Sequence, residues 1–317
     1  MEPLYIGIDI GGTNLRFALV DGRGGIRHRG RTASAIEDGR DAFCERLVAG
    51  IDELSTIAAS SGNAIMGVGA GVPGLIGKDG LIHSSVNMRA LNGFNLTTFL
   101  KERTGVSSAC GNDANLIALG EKAYGAGRPF SACMVITIGT GLGSGLILDG
   151  RLWTGSGGFA AEFGHATVDP EGIPCPCGNR GCLEQYVSAG ALVRNARDVL
   201  PRELLASREE PLDARQVSKL ARQGEAGALV AFARMGRWLG IALASLVDTL
   251  NMEAVIIGGG VAASFDLLLP ALDAEISQRC FPQIASGCTI LKSELGDDAG
   301  LLGGAALAMA EKGALSR

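Results

Sequence analysis

LYIGIDIGGTNLRFALV, residues 4–20, reads as a strand, a glycine-rich tip and a second strand. Apolar residues fill 4–10 and resume over 15–20, and Gly11, Gly12, Thr13 and Asn14 separate them with turn chemistry. The pattern returns at 133–150 as CMVITIG, TGLGSG and LILDG. Two such hairpins point to two related halves. A tip without Cβ atoms lets backbone N–H groups and a Thr hydroxyl approach phosphate oxygens. A tight turn alone would explain one tip. Two tips with Thr, together with Gly258, Gly259 and Gly260 after the strand 254–257, favour a nucleotide.

Working outward, apolar residues at helical spacing (Phe43, Leu47, Ile51, Leu54, Ile57) predict a helix over 41–60. A buried strand is expected at 64–72, stopped by Pro73 and Gly74. A short helix at 96–103 and a strand near 106–110 follow. That strand runs into Gly111-Asn112-Asp113-Ala114-Asn115 and a helix to about Tyr124. Residues 155–190 lack periodicity, 191–250 are mostly helical, and 300–314 form a Gly/Ala-rich helix. Strands alternating with helices define the α/β class. The repeat of the hairpin places the division between halves near 114–130.

Composition narrows the function. The chain has 317 residues, enough for two domains, and 48 are glycine, about twice the usual share. The net charge of −5 argues against general binding to nucleic acid or an anionic membrane. Arg234 and Arg237 interrupt the most apolar stretch, 228–247, and Glu2 and Asp9 replace the features of a signal peptide. A cytoplasmic location is expected, with the eight cysteines as reduced thiols or metal ligands. There is no GxxxxGK[ST]. Gly69, Gly71 and Gly74 match GxGxxG by letters, but no acid lies about 20 residues on to hold a ribose, so a dinucleotide is not expected.

Two clusters carry chemistry. Asp113 stands at a strand-to-helix junction, where an acid serves either as a helix cap or as a general base aimed at a hydroxyl. His165 is followed by Cys175, Cys177 and Cys182. One imidazole and three thiolates make a closed tetrahedral Zn²⁺ shell of structural type, although C-x-C is shorter than the common spacing. Gly178 and Gly181 let that loop wrap a small ion. Glu162 and Glu184 flank it and could bind a polyol. Cysteines 44, 110, 133, 280 and 288 read as core, His28 and His83 as surface, and 202–210 as a solvated face.

DIGGTN, NDAN, GTGLGSG and IGGG occur in that order, and E-x-G-H is followed by C-x-C-G-x-x-G-C-x-E from Glu162 to Glu184. In these motifs the chain, from Tyr5 to about Ala310, resembles the ROK family (repressor, open reading frame, kinase) of sugar kinases. The resemblance implies a two-domain actin-like ATPase (ribonuclease H-like) fold with a cleft between domains. One domain is expected at 1–115 plus a C-terminal helix at about 300–317. The other, larger and carrying the zinc loop, is expected at 116–299.

The resemblance also implies roles. Asp113 is the base for a sugar 6-hydroxyl. Gly71, Asn87, Asn112, Glu162, His165 and Glu184 hold the sugar. Asp9, Gly11, Gly12, Thr13, Asn14, Gly139, Thr140, Gly141 and Gly143 serve the phosphates of ATP and its Mg²⁺, and Gly258, Gly259 and Gly260 the adenosine. His165 would turn one ring nitrogen to Zn²⁺ and the other to the sugar. Glucose is the first acceptor to expect, with fructose, allose and N-acetylhexosamines as alternatives. One departure bears on this choice: Asn87-Met-Arg-Ala-Leu91 stands where many glucokinases of the family have Asn-Leu-Pro-Gly-Trp. A homodimer is implied as well. A sugar-responsive regulator is the alternative of another class; only eight residues precede Asp9, too few for a DNA-reading helix. A non-catalytic sugar-binding protein is a further one.

Overall fold

The structure, a computed structural model, describes residues 2–206 and 210–313. The end of the expected C-terminal helix, 314–317, and residues 207–209 of the Arg/Glu-rich stretch lie outside them. In chain order come β1 (Pro3–Ile10), β2 (Asn14–Asp21), β3 (Ile26–Ala33), α1 (Arg40–Ser60), β4 (Ala64–Val72), β5 (Leu75–Ile76), β6 (Ile82–Ser84), α2 (Leu96–Thr104), β7 (Ser107–Asn112) and α3 (Asp113–Tyr124). Then follow β8 (Cys133–Ile138), β9 (Leu142–Leu148), β10 (Arg151–Leu152), α4 (Ala189–Val199), α5 (Arg202–Ala206), α6 (Ala214–Arg222), α7 (Ala226–Leu250), β11 (Ala254–Gly258), α8 (Phe265–Arg279), α9 (Pro282–Gly287), β12 (Thr289–Lys292) and α10 (Ala299–Glu311).

The chain divides into two compact units. The first comprises Met1–Ser131, Gly145–Ala161 and Glu294–Arg317, the second Ala132–Ser144 and Glu162–Ser293. A boundary at 115/116 would cut α3 in its first turn. The whole helix stays with the first unit because it packs on α10, with Gly303 of α10 against the Leu116 carbonyl.

The first unit is built on a sheet of order β3-β2-β1-β4-β7. β1, β2 and β3 are antiparallel neighbours, whereas β1, β4 and β7 run parallel. The two-residue period sends Ile6, Ile8, Leu15 and Phe17 into one core with Leu47, Ile51 and Leu54 of α1. Full burial of each such side chain is worth roughly 1.5–3 kcal/mol. On the other face Tyr5, Ala18 and Val20 pack with Leu301, Ala305 and Met309 of α10. This helix is small-residue-rich because it lies directly on the sheet: a Cβ on Gly7 would strike the Leu301 carbonyl, and one on Gly69 the Gly304 carbonyl.

The second sheet has the order β10-β9-β8-β11-β12, with β8, β11 and β12 parallel. α7 is long and apolar enough to pass for a membrane span by length and composition, but 56% of its most apolar window is buried. It packs on α8, where Gly236 and Gly240 approach the Leu268 and Leu272 carbonyls.

The sequence reading missed β3, β5, β6, β10 and β12 and the helices α8 and α9. β3 (IRHRGRTA) is an Arg-rich edge strand with no fully buried residue, so it lacks the apolar pattern that marks a strand. Cys133 and Cys280 are buried as expected, whereas Cys44, Cys110 and Cys288 are half-buried, as is His28; His83 is exposed.

Candidate functional site

Parallel strands bring the first unit's candidate residues to one sheet end. Asp9 is level with Gly71 across β1 and β4, and Gly71 with Gly111 across β4 and β7. Asp113 follows two residues beyond Gly111. The C-terminal ends of parallel strands are where open α/β sheets place ligands. Gly71 is needed for close approach, because a Cβ there would lie 3.3 Å from the Asp113 Cα.

The tip after Asp9 is closed by the Gly11 N–H, which donates to the Asn14 carbonyl at 2.9 Å. Ser34 holds it from behind: its Oγ donates to the Gly12 carbonyl at 2.6 Å and its N–H to the Thr13 carbonyl at 3.0 Å. In a trans peptide the carbonyl and the following N–H point in opposite directions. The Thr13 N–H therefore faces away from Ser34, and the Thr13 side chain is exposed. Asn87 is exposed beside this tip, its carbonyl 3.8 Å from where a Cβ on Gly12 would stand. Leu91, where the family's Trp would fall, is wholly buried in the core.

Asn112, not Asp113, caps α3. Its Oδ1 accepts the Asn115 N–H at 3.1 Å, and its Nδ2 donates to the Gly74 carbonyl at 3.0 Å. Asp113 is the first helical residue, and its Oδ1 accepts the Ala114 N–H at 2.9 Å. Asn112 therefore performs the cap duty considered for Asp113. Further along α3, wholly buried Glu121 accepts N–H groups from Ala126 at 2.9 Å and Leu295 at 3.0 Å, with Glu294 at 3.4 Å. That carboxylate fixes α3 against the segment leading into α10.

The second unit repeats the tip. The Gly139 N–H donates to the Gly141 carbonyl at 2.9 Å. The Gly139 carbonyl accepts the Ala189 N–H of α4 at 2.8 Å, so the Thr140 N–H faces away from α4, and Thr140 is exposed. Glu184 reaches the same tip: Oε2 accepts the Leu142 N–H at 2.9 Å and fills the space a Cβ on Gly141 would need. The Phe163 N–H donates to Ser144 Oγ at 3.3 Å, seating the Glu162–His165 turn on β9. Desolvation pushes the Glu162 carboxyl above the usual range; His165 opposes this and Glu184 adds to it. β8 and β11 are in register at Thr137 and Gly258. Gly259 has φ +85° and lies against the Ile138 backbone, and Gly260 faces open space.

The donor atoms of His165, Cys175, Cys177 and Cys182 all lie within 4.8 Å of one another. Cys177 Sγ is 3.7 Å from Cys182 Sγ, and Cys175 Sγ is 3.8 Å from His165 Nδ1. Tetrahedral Zn²⁺ with bonds of about 2.3 Å to S and 2.0 Å to N requires edges of about 3.5–3.8 Å. The donor set fits that ion. Gly178 (φ +94°) and Gly181 (φ +67°) turn the loop through the left-handed region. Asn179 Nδ2 and Gln185 Nε2 donate to Cys182 and Cys175 Sγ.

Sequence reasoning missed Arg16, whose Nε donates to Asp9 Oδ2 at 2.9 Å while Nη2 meets the same oxygen. Only the β1–β2 register, which sets Asp9 opposite Arg16, could have found it. It also missed Ser34 and Glu121, which offer no local signal.

The fold is shared with known kinases. A crystal structure of a ROK family glucokinase from Streptomyces griseus, in complex with glucose and AMPPNP, superposes with a TM-score of 0.81 at 33% identity, covering 97% of this chain and 99% of that one. This is a mixed α/β protein of the actin-like ATPase fold. The ROK family description matches residues 5–311, and the chain belongs to that family. A glucokinase of Thermotoga maritima is 35% identical over 95% of this chain and 96% of its own length. A xylose repressor of Bacillus subtilis is 32% identical over 94% of this chain and 75% of its own length. Both sugar kinases and a regulator thus stand among the relatives.

Proposed function

We propose that this protein is a cytoplasmic, ATP-dependent hexose kinase that phosphorylates the 6-hydroxyl of glucose. The observation that carries the reading is Asp113, placed at the end of parallel strands and relieved of helix capping by Asn112.

The sugar oxygen attacks the γ-phosphorus of ATP, the bond to the ADP oxygen breaks, and Asp113 takes the hydroxyl proton. An ordinary carboxylate suffices, because the proton leaves late in a loose phosphoryl transfer. The Thr13 and Thr140 N–H groups and hydroxyls donate to phosphate oxygens, while Gly11, Gly12, Asn14, Gly139, Gly141 and Gly143 shape the two tips that bring them close. The outward Gly12–Thr13 and Gly139–Thr140 peptides support that role. Asp9 would hold Mg²⁺ through its water shell; bound there, the cation neutralises charge on the transferring phosphoryl group. Gly258, Gly259 and Gly260 would take the adenosine, with Gly260 offering it open backbone. Gly71, Asn87, Asn112, Glu162, His165 and Glu184 orient the hexose. His165 Nδ1 and the three thiolates would hold structural Zn²⁺, which leaves Nε2 for the sugar.

ADP release from Mg-ATP tests this, with glucose, fructose, mannose, allose, N-acetylglucosamine and N-acetylmannosamine offered separately. Stimulation by glucose above the others is expected. Stimulation by another hexose would reassign the acceptor. Hexose binding without turnover would favour the regulator reading that the xylose repressor's similarity keeps in view.

A further inference from the structure

Asp9 and Arg16 face each other across β1 and β2. Directly opposed residues share a sheet face. Arg16 sends both Nε and Nη2 to the same oxygen, Oδ2, instead of one donor to each. Its Nη1 donates to the Asp297 carbonyl at 2.9 Å, so the guanidinium is held at both ends. On the other side, Gly300 in the first turn of α10 leaves room for the carboxylate to approach the helix start: a Cβ there would lie 3.3 Å from Asp9 Cγ and 3.5 Å from Oδ1. Asp9 is thus held by a guanidinium and lies beside a helix start. The two side chains are 34% and 21% exposed, and pairs this open add little stability.

We propose that Arg16 is a positioning residue that pins one oxygen of Asp9, so that the carboxylate serves a hydrated Mg²⁺ instead of ligating the ion directly. This rests on the kinase reading above. Mg²⁺ gives up its water reluctantly and commonly takes one or two carboxylates beside retained waters. An oxygen that already accepts two charge-assisted N–H bonds is a poor inner ligand and still a good acceptor for metal-bound water. Arg16 also brings a positive charge near the cation, which weakens cation binding. Its loss should therefore move two quantities in opposite directions: the ion binds tighter, and turnover falls because the carboxylate is no longer fixed. General damage to the fold would weaken both.

The test compares wild type, Arg16→Met, Arg16→Gln and Arg16→Lys in the full chain. Mn²⁺ is titrated with ADP present, and free ion is read by electron paramagnetic resonance. Arg16→Met and Arg16→Gln should bind Mn²⁺ about threefold tighter or more, with Arg16→Lys close to wild type because it keeps the charge. With Mg-ATP and the preferred hexose, kcat should fall about 10- to 100-fold in the neutral variants and less in Arg16→Lys, with hexose KM little changed. Mn²⁺ binding unchanged or weaker in whichever neutral variant folds overturns the proposal, as does unchanged kcat. A wild type that turns over no hexose defeats the kinase reading instead, and the Mn²⁺ titration still decides what Arg16 does to the ion.

Discussion

The tip at Gly11–Asn14 and the tip at Gly139–Gly141 solve one backbone problem with different charges. Each ties back the carbonyl before a Thr and turns that Thr N–H outward, the first through Ser34 Oγ and the second through the α4 N–H of Ala189. The first tip follows a carboxylate matched by a guanidinium, Asp9 with Arg16. The second is touched by the carboxylate of Glu184, through the Leu142 N–H. Similar hairpins can therefore carry different duties. In the first the charge is balanced beside the expected metal; in the second a sugar-site candidate is wired to the phosphate-site candidate.

The comparison breaks first at Asp113, which belongs to the unit of the first tip. Asp113→Ala should lower kcat about 10³-fold, or about 4 kcal/mol of barrier, while sugar still binds. A coupled assay with calorimetric sugar titration checks this. The helix should survive, since Asn112 keeps the cap; equal turnover would remove Asp113 from the mechanism. Glu121→Ala probes the framework of the same unit away from the tip. It takes the acceptor from one buried N–H, that of Ala126, and from two part-buried ones, so a loss of about 2 kcal/mol in denaturant unfolding is expected.

In the second unit, Cys177→Ser should drop bound zinc well below one per chain by elemental analysis and lower the melting temperature by about 5 °C. Hexose KM should rise, because His165 loses its anchor. Full activity without metal would separate the cluster from the sugar site. The smallest effect is expected from Glu184→Gln in respect of ATP. Its amide oxygen still accepts the Leu142 N–H, so ATP KM should shift less than about threefold, whereas hexose KM should rise about tenfold with loss of the charged acceptor. A large rise in ATP KM would mean that charge at the second tip, and not its shape, sets phosphate binding.

Much of the architecture was legible in the chain. β4 (Ala64–Val72) and α3 (Asp113–Tyr124) begin and end close to where periodicity and Gly/Pro punctuation put them. The zinc-type loop was legible because its four donors lie within 18 residues and its glycines announce tight turns. β3 and β12 were not, because edge strands with polar faces leave no apolar alternation. Nor was the division between units: α3 belongs where α10 packs on it, and α10 comes from the far end of the chain.

The sequence by itself determined the alternation of strands and helices, the two Gly/Thr tips and the Cys₃His donor set. Each rests on residues close together in the chain, where spacing alone sets geometry. Only the tertiary structure decided that Arg16 clamps Asp9, that Asn112 and not Asp113 caps α3, and that Glu184 reaches the second tip. The Leu142–Glu184 bond spans 42 residues and the Glu121–Leu295 bond 174. Such pairs depend on strand register and helix packing, which arise from burying the two cores and leave no trace in local spacing.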